Sequence, residues 1–446
     1  MFGEEILSPS KKIKKIRKKI RATQTDIAGN GISRVRVSQI ESGETLTLKV
    51  AKLLAENINR FIKENNISCV EITAEYLLES EEDQINQICR DKIKVLNDFG
   101  TNENIKNSFE SELFLLEKFI SRNDLIVEKV LKKELYKLAS TYYNSIRDYM
   151  KSYEYTLKCY RLLNSDEYME HIALILRFTQ VYIWLGKFDD VVMISKQAYS
   201  LAKAHNLESI RECKSIYFNC ALAYKKLENY EECYVWLQRM YDHCKVEKVD
   251  ELKIKTLQAN CYFIQNKVKE AIKLNYEVLE LSQELATPNE TALAYANLAY
   301  IYYKQNNTSK AITLINSALD IKESEYIGGI YGYAFLIYKE TAEKEKAYSY
   351  LDNALHELCK ASNKNELNEI IQESFAYFTS NNLPEKVMYL INKIEEIVIN
   401  YNLLDNSILN IFIKAQYYFK DIDAVLYNEI FMKTYKLVDF FEKDKK

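Results

Sequence analysis

The chain has 446 residues, 48% of them hydrophobic and 28% charged, with 9 glycines, 3 prolines and a formal net charge of -3. That balance excludes a disordered polymer, and so few turn-forming residues disfavour a strand-rich fold, leaving an all-helical protein too long for one ordinary core. No apolar run approaches the ~20 residues that would cross a bilayer, so no membrane is expected as a partner.

Charge is uneven along the chain. Residues 1–63 hold 14 Lys+Arg against 6 Asp+Glu, a balance of +8, while the remainder holds 47 against 58, a balance of -11. A basic head on an acidic body suits a polyanionic partner for the head alone. The nine cysteines are odd in number and lack CxxC spacing, which argues against a disulfide framework. With no secretory apolar run at the start of the sequence, a reducing, cytoplasmic location is expected.

Eight of the eleven residues from Lys11 to Arg21 are basic, yet Ile13, Ile16 and Ile20 keep a helical apolar stripe. The segment is therefore expected to be an amphipathic helix. Such a helix suits DNA, an anionic membrane surface or a merely solvated face, and the adjoining residues 24–63 favour DNA. In Gln24–Gly43, Ile27 and Ala28 form the apolar face of a first short helix, Gly29, Asn30 and Gly31 supply a turn, and Ser33 is a natural N-cap. A second helix is predicted over Arg34–Glu41, with Val37 and Ile40 inward and Gly43 stopping it. Arg34, Val35, Arg36, Ser38 and Gln39 are left pointing out. Leu46 to Lys63 closes a small core with Leu46, Val50, Leu53, Leu54, Ile58 and Phe61.

The runs TQTDIA (Thr23–Ala28) and ISRVRVSQIESG (Ile32–Gly43) resemble the phage-repressor type of helix-turn-helix. The resemblance implies that the second helix enters the major groove with its N-terminal residues at base edges. By position, Arg34, Val35 and Gln39 then become base readers, suited to guanine, a thymine methyl and adenine respectively. Gln24 and Arg36 fall on phosphate or brace a reader, Ser33 joins this DNA-binding set, and Glu41 is structural. The turn between Ala28 and Ser33 is a residue shorter than is usual in that family, which would tilt the second helix and permute these roles.

Residues 64–125 stay helical in pattern. Asn65–Ser68 breaks the chain, residues 71–80 give a short segment, and Asp83–Phe99 with Ile105–Ser121 read as a hairpin around Gly100-Thr101-Asn102. Beyond them the chain repeats. Ser152, Val191, Cys233, Ala271, Ala311, Ala347 and Val387 recur at intervals of 39, 42, 38, 40, 36 and 40 residues. Nine residues before each stands an aromatic: Tyr143, Tyr182, Tyr224, Tyr262, Tyr302, Tyr338 and Phe378. A small residue often precedes that aromatic by three, as at Ser140, Thr179, Ala221, Ala259 and Ala299. This resembles the tetratricopeptide repeat, with a period longer than the family's usual ~34. Leu404–Phe419 and Ile422–Phe441 are expected to cap the array. The expected architecture is thus all-α, a helix-turn-helix domain (1–66), a helical linker and first array layer (67–125), and a right-handed tetratricopeptide-repeat superhelix (126–446).

Stacked pairs of this kind line a groove with their first helices. Arg177, Asn219 and Asn297 share one repeat position, fourteen before the reference residue, and Gln180 and Asn260 share another, eleven before it. An amide offers both donor and acceptor to the backbone of an extended peptide, so these five are the candidate peptide-binding residues. A repressor-type head on such an array resembles the Gram-positive quorum-sensing regulators called the RRNPP family. The resemblance implies a transcription regulator that is a homodimer through its repeats and binds a DNA operator under control of a short signalling peptide. The alternative is a repeat scaffold that sequesters a protein partner such as a response regulator.

Enzymatic readings find little. His171, His205, His243 and His356 form no metal spacing, and neither GxxxxGK[ST] nor GxGxxG occurs. His243, Cys244 and Cys233 come nearest to a metal cluster, with core packing the better reading. Gly328-Gly329 reads as an inter-repeat turn. Neither catalysis nor a cofactor is expected.

Overall fold

The structure is a computed structural model. It describes the chain apart from residues 1–4, 30, 101–104, 323, 361–363, 402, 403, 405 and 444–446, and apart from the side chains of 364, 365 and 440–443. Asn30, Thr101 and Asn102 of the expected turns therefore lie outside the described residues. Among the described residues the regular elements are 23 α-helices, and the chain divides into two compact units, Met1–Asn229 and Tyr230–Lys446.

The first unit begins with α1 (Pro9–Lys19), α2 (Gln24–Ala28), α3 (Arg34–Glu41), α4 (Leu48–Glu64) and α5 (Ala74–Leu78). Ile13, Ile27, Val37, Ile40, Leu54, Ile58 and Leu77 meet in one core and are fully buried. That core extends through Ile72 to Leu77, so α5 packs with the basic head as well as leading out of it. Next come α6 (Glu81–Asp98) and α7 (Lys106–Arg122), followed by α8 (Lys129–Ser145) with α9 (Tyr149–Tyr160), α10 (Tyr168–Trp184) with α11 (Phe188–Ala204), and α12 (Arg211–Lys226). A second core joins Ile85, Cys89 and Ile93 of α6 to Phe109 and Leu113 of α7 and to Leu135, Tyr142 and Tyr143 of α8. Ile6, ahead of α1, packs against this second core.

The second unit holds α13 (Tyr230–His243), then α14 (Lys248–Ile264) with α15 (Val268–Glu284), α16 (Pro288–Lys304) with α17 (Thr308–Leu319), and α18 (Ile327–Tyr338) with α19 (Lys344–Lys360). α20 (Lys364–Ser380) with α21 (Pro384–Tyr401) and α22 (Asn406–Phe419) with α23 (Ala424–Lys443) complete it. Its main core runs from Ala292 to Leu437 and is dominated by Ala, Ile, Leu and Phe.

The repeat period has a simple packing cause. Each of the seven recurring residues is the fourth residue of its helix, in α9, α11, α13, α15, α17, α19 and α21, and each is 0% exposed. The preceding small residues Ser140, Thr179, Ala221, Ala259 and Ala299 are also buried, at 2% exposure or less. Small side chains meeting at such points let helix backbones approach closely, and interiors at crystal-like density leave no room for a larger group.

The turn that ends each first helix repeats as well. Arg147, Gly186, Glu228, Asn266, Asn306 and Asn382 sit at φ between 54° and 69°. Each lies four residues after the recurring aromatic, and the next residue donates its N–H to that aromatic's carbonyl, as Asn307 does to Tyr302 at 2.9 Å and Leu383 to Phe378 at 2.9 Å. This is the 6→1 bond of a Schellman helix end, which satisfies an otherwise orphaned carbonyl. One of the six positions is glycine and three are asparagine, the residues that enter the left-handed region most readily.

Gly328 and Gly329 correct the sequence reading. They lie inside α18 with Gly332, not in a turn. A Cβ on Gly328 would come within 2.9 Å of Leu358 Cγ, one on Gly329 within 2.7 Å of Glu366 Oε2, and one on Gly332 within 2.5 Å of Ile370 Cδ1. Each helical glycine costs roughly 1 kcal/mol relative to alanine, and close packing of α18 against α19 and α20 offsets that cost. Burial of Ile330, Ala334, Phe335, Leu336 and Ile337 holds the segment helical despite it.

Replacing Ala311 by Leu overpacks a fully buried contact and is expected to destabilise by about 1–3 kcal/mol. The measurement is a fall in the urea midpoint of the helical circular dichroism signal, with Thr313→Leu, at an exposed position of the same helix, as the unaffected control.

Candidate functional site

The first candidate surface is built on α2 and α3. Thr23 caps α2, accepting from the Asp26 N–H at 3.3 Å while Asp26 accepts from the Thr23 N–H at 2.7 Å. The far end of α2 is closed from α4, where buried Asn57 donates its amide to the Ala28 carbonyl at 2.6 Å. Gly29 has φ +52°, and a Cβ there would meet the Asn57 amide at 2.6 Å. The short turn after Ala28 therefore needs a glycine for its backbone and for the room Asn57 takes. Ser33 then caps α3 by accepting from the Arg36 N–H at 3.1 Å.

Glu41 fixes how α1, α2 and α3 meet. Its carboxylate accepts from Arg17 Nε at 2.6 Å, from Arg17 Nη2 at 2.8 Å and from Gln24 Nε2 at 2.9 Å, and its side chain is 4% exposed. Burial by itself raises the Glu41 carboxyl, but the bonds from Arg17 and Gln24 and the neighbouring positive charge outweigh it and hold the group below its ordinary value. The same pairing raises Arg17. A forked guanidinium on a carboxylate gives geometric specificity as well as energy.

On the outer face of α3 the predicted residues divide. Gln24 is engaged with Glu41, Ser33 with the start of the helix, and Arg36 with the Glu44 carboxylate and the Thr45 carbonyl. Arg34, Val35 and Gln39 are exposed, Val35 at 67%. Among the described residues no hydrogen bond or ion pair engages the Arg34 or Gln39 side chain.

The basic segment is less uniform than its sequence. Lys12 is 2% exposed. Its ammonium donates to the Tyr76 carbonyl at 3.0 Å, the Glu79 carbonyl at 3.0 Å and the Glu79 carboxylate at 2.7 Å, and lies 4.7 Å from the Tyr76 ring centroid. All three ammonium protons are thereby used at the C-terminal end of α5, where carbonyls are otherwise orphaned. Lys11, Lys14, Lys15, Lys18, Lys19 and Arg21 remain exposed. The chain before α1 is held in turn by α6, where Gln84 accepts from the Leu7 N–H at 3.2 Å and donates to the Leu7 carbonyl at 2.7 Å.

The second candidate surface is the first-helix face of the array, taken unit by unit. In the first unit Arg177 donates to Gln180 at 3.1 Å and to Thr141 Oγ1 at 3.2 Å, and burial holds its guanidinium below the ordinary value. Asn219 donates to Thr179 Oγ1 at 2.9 Å. A cavity of about 770 Å³ lies between α6 and α8 and is lined in part by Lys94, Glu134, Lys137, Leu138 and Thr141, a volume in the range of small-ligand sites. In the second unit Asn260 is half-buried and its amide has no hydrogen bond among the described residues. Asn297 is 9% exposed, and its amide nitrogen is buried without a partner.

The repeat positions that select these amides also hold residues that the sequence pattern does not single out. Tyr333 and Glu373 stand fourteen before Ala347 and Val387, and Tyr300 stands eleven before Ala311. All three line a recess of about 60 Å³ among α16, α18 and α20, together with Tyr326, Gly329, Glu366 and Glu369. The register carries the signal, but the abundance of tyrosine, 35 in the chain, hides it by making packing the natural role of every ring. Cys233, from the suggested metal cluster, is fully buried with its sulfur 3.9 Å from Cys261 Sγ.

The tetratricopeptide repeat family matches residues 250–324, which take in α14 to α17. Comparison with curated proteins gives no match. Among solved structures, the apo form of the quorum sensor NprR from B. thuringiensis is 17% identical with a TM-score of 0.50, covering 78% of this chain and 96% of that one. NprR in complex with its cognate peptide NprX is 14% identical with a TM-score of 0.48, covering 80% and 99%. PlcR from Bacillus thuringiensis, in complex with the peptide PapR7 and DNA, is 13% identical with a TM-score of 0.34, covering 75% and 99%. At 17% identity the likeness to apo NprR concerns the helical repeat fold alone. Among the described residues no helix is long and apolar enough to cross a membrane.

Because the folded carboxyl of Glu41 lies below its unfolded value of about 4.3, its contribution to stability is complete above that value and is lost as pH falls through the lowered folded value. Glu41→Gln is expected to cost about 3 kcal/mol at pH 7 by leaving Arg17 without its anion, and to flatten the acid dependence. Hydrogen-exchange protection factors across α3 at pH 7 and in acid measure both. Equal acid sensitivity in the parent and the variant contradicts the assignment.

Proposed function

We infer that the chain is a DNA-binding transcription regulator whose operator binding is controlled by a short peptide held on the first-helix face of its repeats. The observation that carries the reading is the outer face of α3. Its neighbours Gln24, Ser33 and Arg36 are tied into the head, whereas Arg34, Val35 and Gln39 stand exposed and unengaged. Arg, an aliphatic side chain and Gln on one exposed helical face match guanine, a thymine methyl and adenine at the edge of the major groove. The exposed lysines of α1 supply phosphate contacts that give affinity without sequence information. In this reading α2 and α3 are the helix-turn-helix, and the Glu41 network fixes the angle at which the reading helix is presented.

A repeat fold hosts many functions, so the peptide half of the reading rests on side chains. Arg177 and Gln180 hold each other in place on α10, and the Asn260 amide has both its donor and its acceptor open. Such groups suit an extended backbone, whose N–H and C=O otherwise lose water without replacement. A peptide controls the head only if it binds one head arrangement better than another. A single head reads one half-site, so a homodimer belongs to the reading. Exposed apolar side chains on the last helix pair, with Tyr417 at 79% and Val425 at 75%, provide a surface for a second copy.

Selection from random double-stranded DNA is expected to enrich a specific site with the parent chain. Arg34→Ala with Gln39→Ala should weaken binding to that site at least about tenfold while leaving salt-sensitive binding to unrelated DNA in place. Failure to enrich any site, or full-strength specific binding by the double variant, removes the reading. For the array, Asn260→Ala is expected to weaken capture of heptapeptides by the intact chain without lowering its thermal midpoint. Unchanged capture would remove Asn260 from the site.

A further inference from the structure

The recess among α16, α18 and α20 has three kinds of wall. Leu293 and Ile370 are apolar, Tyr300 and Tyr333 are aromatic, and Glu369 and Glu373 are acidic. The two tyrosine rings stack at 4.6 Å between centroids with 13° between their planes, so they act as one rigid wall. Glu369 and Glu373 are four residues apart on one face of α20, a like-charge pairing that weakens an isolated helix by a few tenths of a kcal/mol. Among the described residues neither carboxylate forms an ion pair. Neither Lys304, 5.2 Å from the Tyr300 ring and 5.8 Å from the Tyr303 ring, nor Lys339, 4.8 Å from the Tyr377 ring, lines the recess.

The opening of the recess is built into α18. Gly329 lines it, and a Cβ there would come within 2.7 Å of Glu366 Oε2, the far end of a flexible side chain. At about 60 Å³ the recess exceeds the about 10–15 Å³ that one water needs, yet it is too small for a whole peptide. An apolar floor, an aromatic wall and an acidic rim complement one kind of group. Lysine and arginine lay an apolar stem along hydrocarbon and keep a cationic tip for a π-face and a carboxylate.

We propose that this recess is the specificity pocket of the array and takes the side chain of a single lysine or arginine from an extended peptide. The proposal rests on the peptide-binding reading and adds to it the chemistry of the ligand. Tyr300 and Tyr333 receive the stem and the face of the cation, Glu369 and Glu373 neutralise it, and the unbonded amide of Asn260, in the same unit, is left for the peptide backbone. The acidic body of the chain, at -11 beyond residue 63, favours the approach of such a peptide.

The test uses the full-length chain and a synthetic positional-scanning library of heptapeptides, read by affinity selection and mass spectrometry. Peptides carrying Arg or Lys at one position are expected to be retained at least about tenfold over counterparts with citrulline or norleucine there. Glu369→Gln with Glu373→Gln should abolish that preference while leaving the uncharged peptides bound as before and the thermal midpoint unchanged. Retention of peptides without a preference for a cation overturns the pocket and leaves peptide binding standing. An undiminished preference in the double variant likewise overturns it. If the parent retains no peptide at all, both the pocket and the peptide reading fall.

Discussion

Close approach of helix backbones at one recurring position is the constraint on which the rest of the array depends. The fourth residue of each second helix is wholly buried from Ser152 to Val387, and within each unit a side chain of the wrong volume there would push apart two paired helices. With this contact fixed, the aromatic nine residues earlier falls in the last turn of the preceding helix. Its carbonyl receives the loop N–H and the chain reverses through a left-handed residue. Packing, loop geometry and period are therefore one constraint. Each repeat contributes a first helix whose polar side chains are partly bound to neighbouring helices, as Asn219 is to Thr179, and partly left open, as Asn260 is.

The head obeys a different rule, in which polar contacts set geometry within a small apolar core. Glu41 gathers Arg17 and Gln24, Asn57 closes α2, and Lys12 closes α5. A buried charge left unpaired costs several kcal/mol and an unmade buried hydrogen bond about 1–3 kcal/mol, so each of these contacts selects one arrangement of short helices that propensity alone could not hold. α2 has five residues, far below the ~12–15 at which an isolated helix becomes even marginal. The outer face of α3 is thereby presented by a scaffold whose neighbouring polar groups are committed. Lys12 and Gln84 extend the same logic outward, since they tie α1 and the chain before it to α5 and α6.

Elements were legible where apolar periodicity and caps coincide. Arg34–Glu41 runs as its Ser33 cap and Gly43 stop predict, and the seven spaced residues are all helix contacts. The pattern misleads where one residue type serves two purposes. Gly328 and Gly329 suggest a turn, yet both lie in α18, where Leu358 occupies the space of the missing Cβ of Gly328. Lys12 is one lysine among many in the sequence, yet it alone of the eight basic residues from Lys11 to Arg21 is fully buried. Tyr300 and Tyr333 belong to a crowd of tyrosines, yet they wall a recess with Glu369 and Glu373.

By itself the sequence determined the all-helical class, the repeat register, the helix ends with side-chain caps and the basic character of the head. These follow from local propensity and from spacings of three, four and about forty residues, which a linear pattern records directly. Only the tertiary structure decided which polar groups are available and which are consumed. Asn219 and Asn297 share one repeat position, yet Asn219 is bonded to Thr179 while the Asn297 amide nitrogen is buried without a partner, a difference their common register does not reveal. The reason is that satisfaction of a donor or a charge depends on partners tens of residues away, brought within about 3 Å only when the helices pack.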